Sequence, residues 1–322
     1  MNNTMEKTDD IRLGRKPNLR KSIIDIKRNY QLLSFALIPL IWLITFRYVP
    51  MFGVQIAFKK YTPVGGIWGS DWVGLYNFVK FINSYQFARI VPNTIRLSLY
   101  SIIAGFPVPI ILALFLNVMR HKYLRKTIQT VIYLPHFISV VVIVGMVFQI
   151  FNVRIGIYGI FYHFITGNKP VDLFLSSGTF PHMYVWSGIW QNMGWSTIIY
   201  TAALSSVDME LHEAAQIDGA SRFARLRHID FPCILPTAII LLILNSGNIL
   251  SVGFEKVYLM QNNLNLVKSE VISTYVYKVG ITAGASDFSY ATAIDLFNAV
   301  INLIILTLVN FTAKRVSSTS LW

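Results

Sequence analysis

Glu213-Ala214-Ala215-Gln216-Ile217-Asp218-Gly219, followed after nine residues by Ile229-Asp230-Phe231-Pro232, is a polar island between two long apolar segments. Asp208 is an N-cap, because its carboxylate can accept from the free amides of the first turn, and Met209 onward reads as helix. At helical spacing Val207, Leu211, Ala214, Ala215 and Asp218 fall along one side, while Glu210 and Glu213, three apart, fall on another. Gly219 can take a positive φ and ends this helix. Ser221 then caps a second short helix carrying Arg222, Arg225 and Arg227, and Pro232 and Pro236 are expected to break the path into the next segment. The paired alanines would leave a shallow face of small side chains. A compact helix–turn–helix of this kind suits docking into a cleft of another protein; a solvated loop without a partner is the plainer alternative.

The sequence around the island is that of a membrane protein. Of 322 residues, 54% are hydrophobic and only 13% charged, with a mean hydropathy of +0.52. Soluble domains carry roughly 25% charged residues, so this chain is solvated mostly by lipid. Apolar runs long enough for a hydrocarbon core of about 30 Å are expected near residues 32–53, 90–118, 129–151, 183–204, 237–259 and 288–312. The fold expected is therefore an all-α integral membrane protein with six transmembrane helices. It divides into a tail of residues 1–31, a six-helix domain of residues 32–312 with the island at 205–236, and a short tail of residues 313–322. Pro107 and Pro109 would kink the second span, which membrane helices tolerate when neighbours satisfy the freed carbonyls. Residues 54–89 read as a mixed loop with Trp68 and Trp72, and residues 152–182 as a turn-rich loop with several glycines and prolines.

The net charge of +13 raises the question of nucleic acid. Its distribution answers it. The N-terminal tail, the 120–126 loop, the island and the C-terminal tail together carry about twice the Lys and Arg of the intervening loops, which hold Lys59, Lys60, Lys80, Arg89, Arg154, Lys169, Lys268 and Lys278. The positive-inside rule then puts both termini and the island in the cytoplasm, and nucleic-acid binding is unnecessary as an explanation. One cysteine, Cys233, excludes an intramolecular disulfide framework and any multi-cysteine metal site.

Catalytic chemistry has no foothold in the sequence. It holds no carboxylate pair, nucleophile triad, metal cluster or Gly-x-x-x-x-Gly-Lys-Ser/Thr phosphate loop, so the expectation is no catalytic residue, no metal and no cofactor bound by this chain. Polar side chains inside apolar spans are the other feature. Trp190, Gln191, Asn192, Trp195, Asn245, Asn248, Asp295 and Asn298 fit a polar path through the bundle, since such groups tend to face an aqueous cavity. They equally fit hydrogen bonding between packed helices.

The spacing Glu213-Ala-Ala, three residues, Gly219, nine residues, Ile229-x-Phe231-Pro232 resembles the EAA loop of ATP-binding-cassette importer permeases, with Phe231 where that family has leucine. The run Glu213 to Ser221 is similar to the version in carbohydrate-uptake permeases. Tyr133-Leu-Pro-His-Phe-Ile-Ser139, Gly194-Trp195, Tyr200-Thr-Ala-Ala203 and Thr274-Tyr-Val-Tyr277 resemble the oligosaccharide-importer subgroup. Met209, where that subgroup often has proline, and Ile294-Asp295, in a stretch usually apolar or glycine-containing, depart from it. The resemblance implies a permease subunit of a binding-protein-dependent sugar importer in the bacterial inner membrane. It implies a coupling helix over residues 208–218, with Glu210, Glu213, Ala214, Ala215, Asp218 and Gly219 as the contact with a cytoplasmic ATPase dimer that carries ATP and Mg. A second homologous permease, an extracytoplasmic solute-binding protein, an oligosaccharide and membrane lipid are the other partners implied. An ion-coupled carrier using Asp295, paired with Arg96, is the rival.

Overall fold

The computed structural model describes residues 30–282, 287–316 and 320–321. The basic tail thus lies outside the described residues, apart from Tyr30 and Gln31, as does most of the C-terminal one. The chain divides into two compact units, Met1–Gln55 and Ile56–Trp322. In the first, α1 (Tyr30–Leu43) continues through a π-turn at Ile44–Tyr48, and its apolar side chains are exposed along its length. A chain in water could not afford such a helix; one in lipid needs it.

Among its described residues the second unit is helices and turns, with one ribbon of strand. In it β1 (Lys59–Lys60) pairs antiparallel with β2 (Asp71–Trp72), Lys59 opposite Trp72 and Lys60 opposite Asp71. Asn77 Nδ2 donates to the Ala57 and Lys59 carbonyls at 2.9 and 3.2 Å, and the Trp72 ring stacks on Phe58. The expected all-α chain therefore carries a two-strand exception. Then come α2 (Tyr76–Ile82), α3 (Tyr85–Gly105), α4 (Pro107–Val118), α5 (Lys122–Tyr133), α6 (Val140–Ile150), α7 (Ile157–Thr166) and α8 (Phe180–Leu204). The island supplies α9 (Met209–Ile217) and α10 (Arg222–Arg225). After it come α11 (Phe231–Ser246), α12 (Phe254–Met260), α13 (Ile272–Tyr277) and α14 (Phe288–Val316).

Among the described residues four helices are long and apolar enough to cross a membrane: Leu33–Phe58, Tyr85–Val118, Arg222–Ser246 and Phe288–Arg315. In these only 0–28% of the apolar window is buried, so their apolar sides face outward, as lipid requires. Three expectations are corrected here. The third run is not one straight span: Lys122–Phe137 and Val140–Ile150 meet at 105°. The cause is Pro135, which sits in a 3₁₀ turn at Leu134–Phe137, after which Ser139 caps α6 by accepting from Val142 N. Counted as one span, this pair brings the total to five. The fourth run, α8, has 25 residues but carries Gln191, Asn192, Ser196 and Thr197 along it, and lacks the hydropathy of the other four.

The fifth span is displaced towards the N-terminus. A continuous helical path runs Arg222–Ser246 and stops there, short of the expected 259. Pro232 and Pro236 do not break it, because a π-turn at Leu226–Asp230 precedes them and Phe231 N already reaches back to Leu226 O. The wider turn loosens the carbonyl ladder at His228, four residues before Pro232, where that ring would otherwise clash, and Pro236 is tolerated inside α11.

Three buried apolar clusters join these elements. One gathers Leu97, Ile143, Val147, Met183, Val257 and Val271, a second Phe81, Ile90, Leu250, Ile272, Tyr290 and Ile294. The third, nearest the island, holds Ile110, Leu114, Tyr200, Leu204, Ile234 and Ala238, with Val207 and Leu226 packed against it. Helix α8 also crosses α5 with backbones nearly touching. A Cβ on Gly194 would lie 2.9 Å from Tyr133 N and closer still to the Ile132 carbonyl. Backbone cannot give way as a side chain does, so Gly194→Val is expected to force the helices apart and lower the melting temperature of the purified protein by several degrees. Gly145→Ala, where a Cβ would have nothing within 4 Å, is the control expected to change it little.

Candidate functional site: a docked island and a polar cavity

The island folds as its residues direct. Asp208 accepts from Glu210 N at 3.0 Å, Ser221 accepts from Ala224 N at 3.2 Å, and Gly219 adopts φ +77°. A side chain at that φ would be strained, so glycine sets the sharp turn between α9 and α10. Ala220 N closes it by donating to Ala215 O at 2.8 Å.

The two alanines do not share a face. Adjacent residues on a helix point about 100° apart, and Ala215 turns inward with His212 while Ala214 is exposed. Glu210, Glu213, Gln216, Asp218 and Gly219 are exposed as well. So are Met209, Leu211 and Ile217, the last 87% exposed, and Phe223 on α10. The outer surface is thus mixed apolar and acidic rather than a shallow alanine stripe.

A buried carboxylate fastens α9 to the bundle. Asp230 is 2% exposed and its Oδ1 lies 3.2 Å from His212 Nε2 on α9 and accepts from Asn117 Nδ2 on α4 at 3.1 Å. Because Asp230 itself sits in the π-turn that leads into α11, one side chain links the island helix to the ends of two long helices. Charge-assisted hydrogen bonds of this kind hold geometry well. A cleft of about 280 Å³ opens beside it, lined by Arg120, His212, Gln216, Arg222 and Arg225. Asp230 was legible only as part of the island's closing motif; its side-chain partners, far apart in sequence, were not.

Deeper in the unit lies a cavity of about 640 Å³, within the range of small-molecule sites. It is walled by α3, α4, α8, α11 and the segment from Asn248 to Lys256. Of the eight polar-path candidates, Gln191, Asn192, Asn245 and Asn248 line it. Trp190, Trp195, Asp295 and Asn298 do not. On α8 the cavity takes Gly188, Gln191, Asn192 and Ser196, and the helical repeat turns Trp190 and Trp195 elsewhere. Trp195 stacks on His136 at 4.6 Å between centroids. Asp295 is exposed, and Asn298 Oδ1 is buried without a partner on α14.

One lining residue also satisfies broken backbone. Gln191 Nε2 donates to Ile138 O at 3.1 Å, in the bend between α5 and α6; beside it Asn192 Oδ1 meets the His136 side chain, at Nδ1, at 3.1 Å, a side-chain contact that holds the bend without serving its backbone. The Gln191 bond is the repair that irregular backbone inside a bundle requires. The cavity also holds a side chain that sequence reasoning passed over as lying within or beside a span: Lys256, 7% exposed.

This architecture has known counterparts. Residues 105–318 match the family described as binding-protein-dependent transport system inner membrane component. The chain belongs to that family. It is a membrane translocation component of the inner membrane. It is 42% identical over 290 residues to protein LplB of Bacillus subtilis (strain 168), covering 90% of each chain. It is 39% identical over 306 residues to the polygalacturonan/rhamnogalacturonan transport system permease protein YteP of the same organism, covering 95% of this chain and 94% of that one. Among solved structures it is similar, with a TM-score of 0.83 and 38% identity, to a chain of a bacterial ABC transporter involved in the import of the acidic polysaccharide alginate. That match covers 92% of this chain and 99% of the other. A second, at 37% identity and the same TM-score, is that alginate transporter in complex with a periplasmic protein bound to an alginate pentasaccharide.

Proposed function

We propose that the chain is the permease subunit of an ATP-driven, binding-protein-dependent importer of oligosaccharides released from polysaccharides. The observation that carries the reading is one helix, α9, capped at both ends, exposed along its outer side and tied by Asp230 to helices that wall a cavity of mixed apolar and polar lining. A rigid element placed so can pass motion from a docked partner to the bundle, and rocking of packed helices switches access to a central site. The names of the relatives, which speak of polygalacturonan, rhamnogalacturonan and alginate, support a saccharide cargo.

In this reading six segments cross the membrane, α8 and the bent α5–α6 pair among them, with both termini and the island cytoplasmic. Helix α8 counts as a span because its polar side faces the cavity instead of lipid. Glu210, Glu213, Ala214, Asp218 and Gly219 meet a cassette ATPase, and Ala215 supports them from within. ATP and Mg belong to that ATPase dimer. A second homologous permease completes the pathway, and a solute-binding protein delivers the sugar from outside. The ion-coupled reading has lost support, since no ion pair joins Asp295 and Arg96 among the described residues.

Uptake into proteoliposomes holding the permease pair, the ATPase and the binding protein tests the proposal. Oligosaccharide should enter only with internal ATP and should be indifferent to ionophores. Uptake that ignores ATP and stops with an ionophore would overturn it.

A further inference from the structure

Lys256 is an ammonium with an incomplete set of partners. It lies on α12 with its Nζ in a notch on α8, where it donates to Tyr184 O at 3.1 Å and sits 5.2 Å from the Tyr184 ring. Gly188 makes the notch, because a Cβ there would lie 3.2 Å from Nζ. An ammonium has three donors, and one hydrogen bond with one ring face leaves it short of acceptors. No carboxylate pairs with it among the described residues. Among the described residues that line the cavity none other is charged; the polar ones are serine, asparagine, glutamine and tyrosine. Burying an unpaired charge is among the costliest things a fold can do, so a cation kept facing an open cavity is a site awaiting an anion.

We infer that Lys256 binds a carboxylate of the transported saccharide, which makes the cargo a uronic-acid oligosaccharide and Lys256 the residue that selects for its charge. The inference rests on the sugar-import reading and adds to it the charge of the sugar. One lysine among neutral groups pairs with a single uronate carboxylate of the chain, whereas one phosphate dianion would remain half neutralised. The flanking amides and hydroxyls suit the sugar's hydroxyl groups. A lysine, as a point charge on a long stem, can follow a ligand that must also leave, where a bidentate arginine would hold it more tightly.

The test compares, in the reconstituted transporter with its unchanged binding protein, uptake of oligogalacturonate and oligomannuronate with that of their methyl esters and of a neutral arabino-oligosaccharide. The readout is the ratio of free-acid to ester uptake, which does not depend on how much protein folds. Wild type should favour the acid; Lys256→Met and Lys256→Gln should lower the ratio about tenfold or more, and Lys256→Arg should keep most of it. An equal ratio in wild type and Lys256→Met, with sugar still imported, would overturn the inference and leave the importer standing. Import of esters or neutral sugar in preference to acid would overturn it too. If no saccharide entered at all, the sugar-import reading would fall and the inference with it.

Discussion

Glu270→Ala should destabilise the protein by about 3–5 kcal/mol, the range found when one member of a buried ion pair is removed. Glu270 is 2% exposed, and its carboxylate binds Arg89 and lies 3.8 Å from Lys278. Its backbone is held as well: Asn93 Nδ2 donates to Val267 O at 2.8 Å and Glu270 O at 3.1 Å, and Ile272 N donates to Thr94 Oγ1 at 3.0 Å. Arg89, Asn93 and Thr94 thus present one side of α3 to the segment 267–272, and Glu270 is the charge that closes the seam. Alanine would leave Arg89, whose Nε already lacks a partner, without its counter-ion. Thermal unfolding in detergent should show the loss. The double change Arg89→Met/Glu270→Leu should recover most of it, because no uncompensated charge then remains. A single mutant as stable as wild type would show that the pair does not hold the seam.

How much of this the sequence carried depends on the range of the interactions. The island was legible almost residue by residue, because caps, a positive-φ glycine and charge spacing are local features: Asp208, Gly219 and Ser221 stand where their chemistry placed them. The bend at Pro135 and the passage of α11 through Pro232 and Pro236 were not, since whether a proline breaks a helix depends on what else satisfies the carbonyls. Here Gln191 bonds Ile138 O just after the first bend, and a π-turn precedes the second. The cavity was half legible. Composition pointed to Gln191, Asn192, Asn245 and Asn248, but equally to Trp190, Trp195, Asp295 and Asn298, and only the rotation of α8 and α14 separates them. Lys256 and Glu270 were missed because each looks ordinary in sequence; burial and partners far along the chain give them meaning. A signal for Lys256 was present, in a lysine that falls inside the run 237–259 expected to be one apolar span.

Glu213→Arg should leave the permease folded, inserted and assembled, and reduce ATP-driven uptake to background. Glu213 is exposed, and no ion pair engages it among the described residues, so its loss removes nothing from the fold. Surface substitutions of this kind change stability by at most about 0.5 kcal/mol. What it would change, on the proposed function, is the charge offered to the ATPase, and a like charge set against a basic groove costs several kcal/mol in association. The inner fastening is untouched, because the contact with Asp230 is made by His212, which points about 100° away from Glu213 around α9. Two measurements separate coupling from docking. Co-purification should report a weakened contact between permease and ATPase, and ATP hydrolysis should cease to respond to the loaded binding protein. An acidic replacement of the facing basic residue on the ATPase should restore both. Full uptake by Glu213→Arg would remove Glu213 from the contact, and uptake that fails without any loss of ATPase binding would place its role after docking, in the transmission of motion through Asp230.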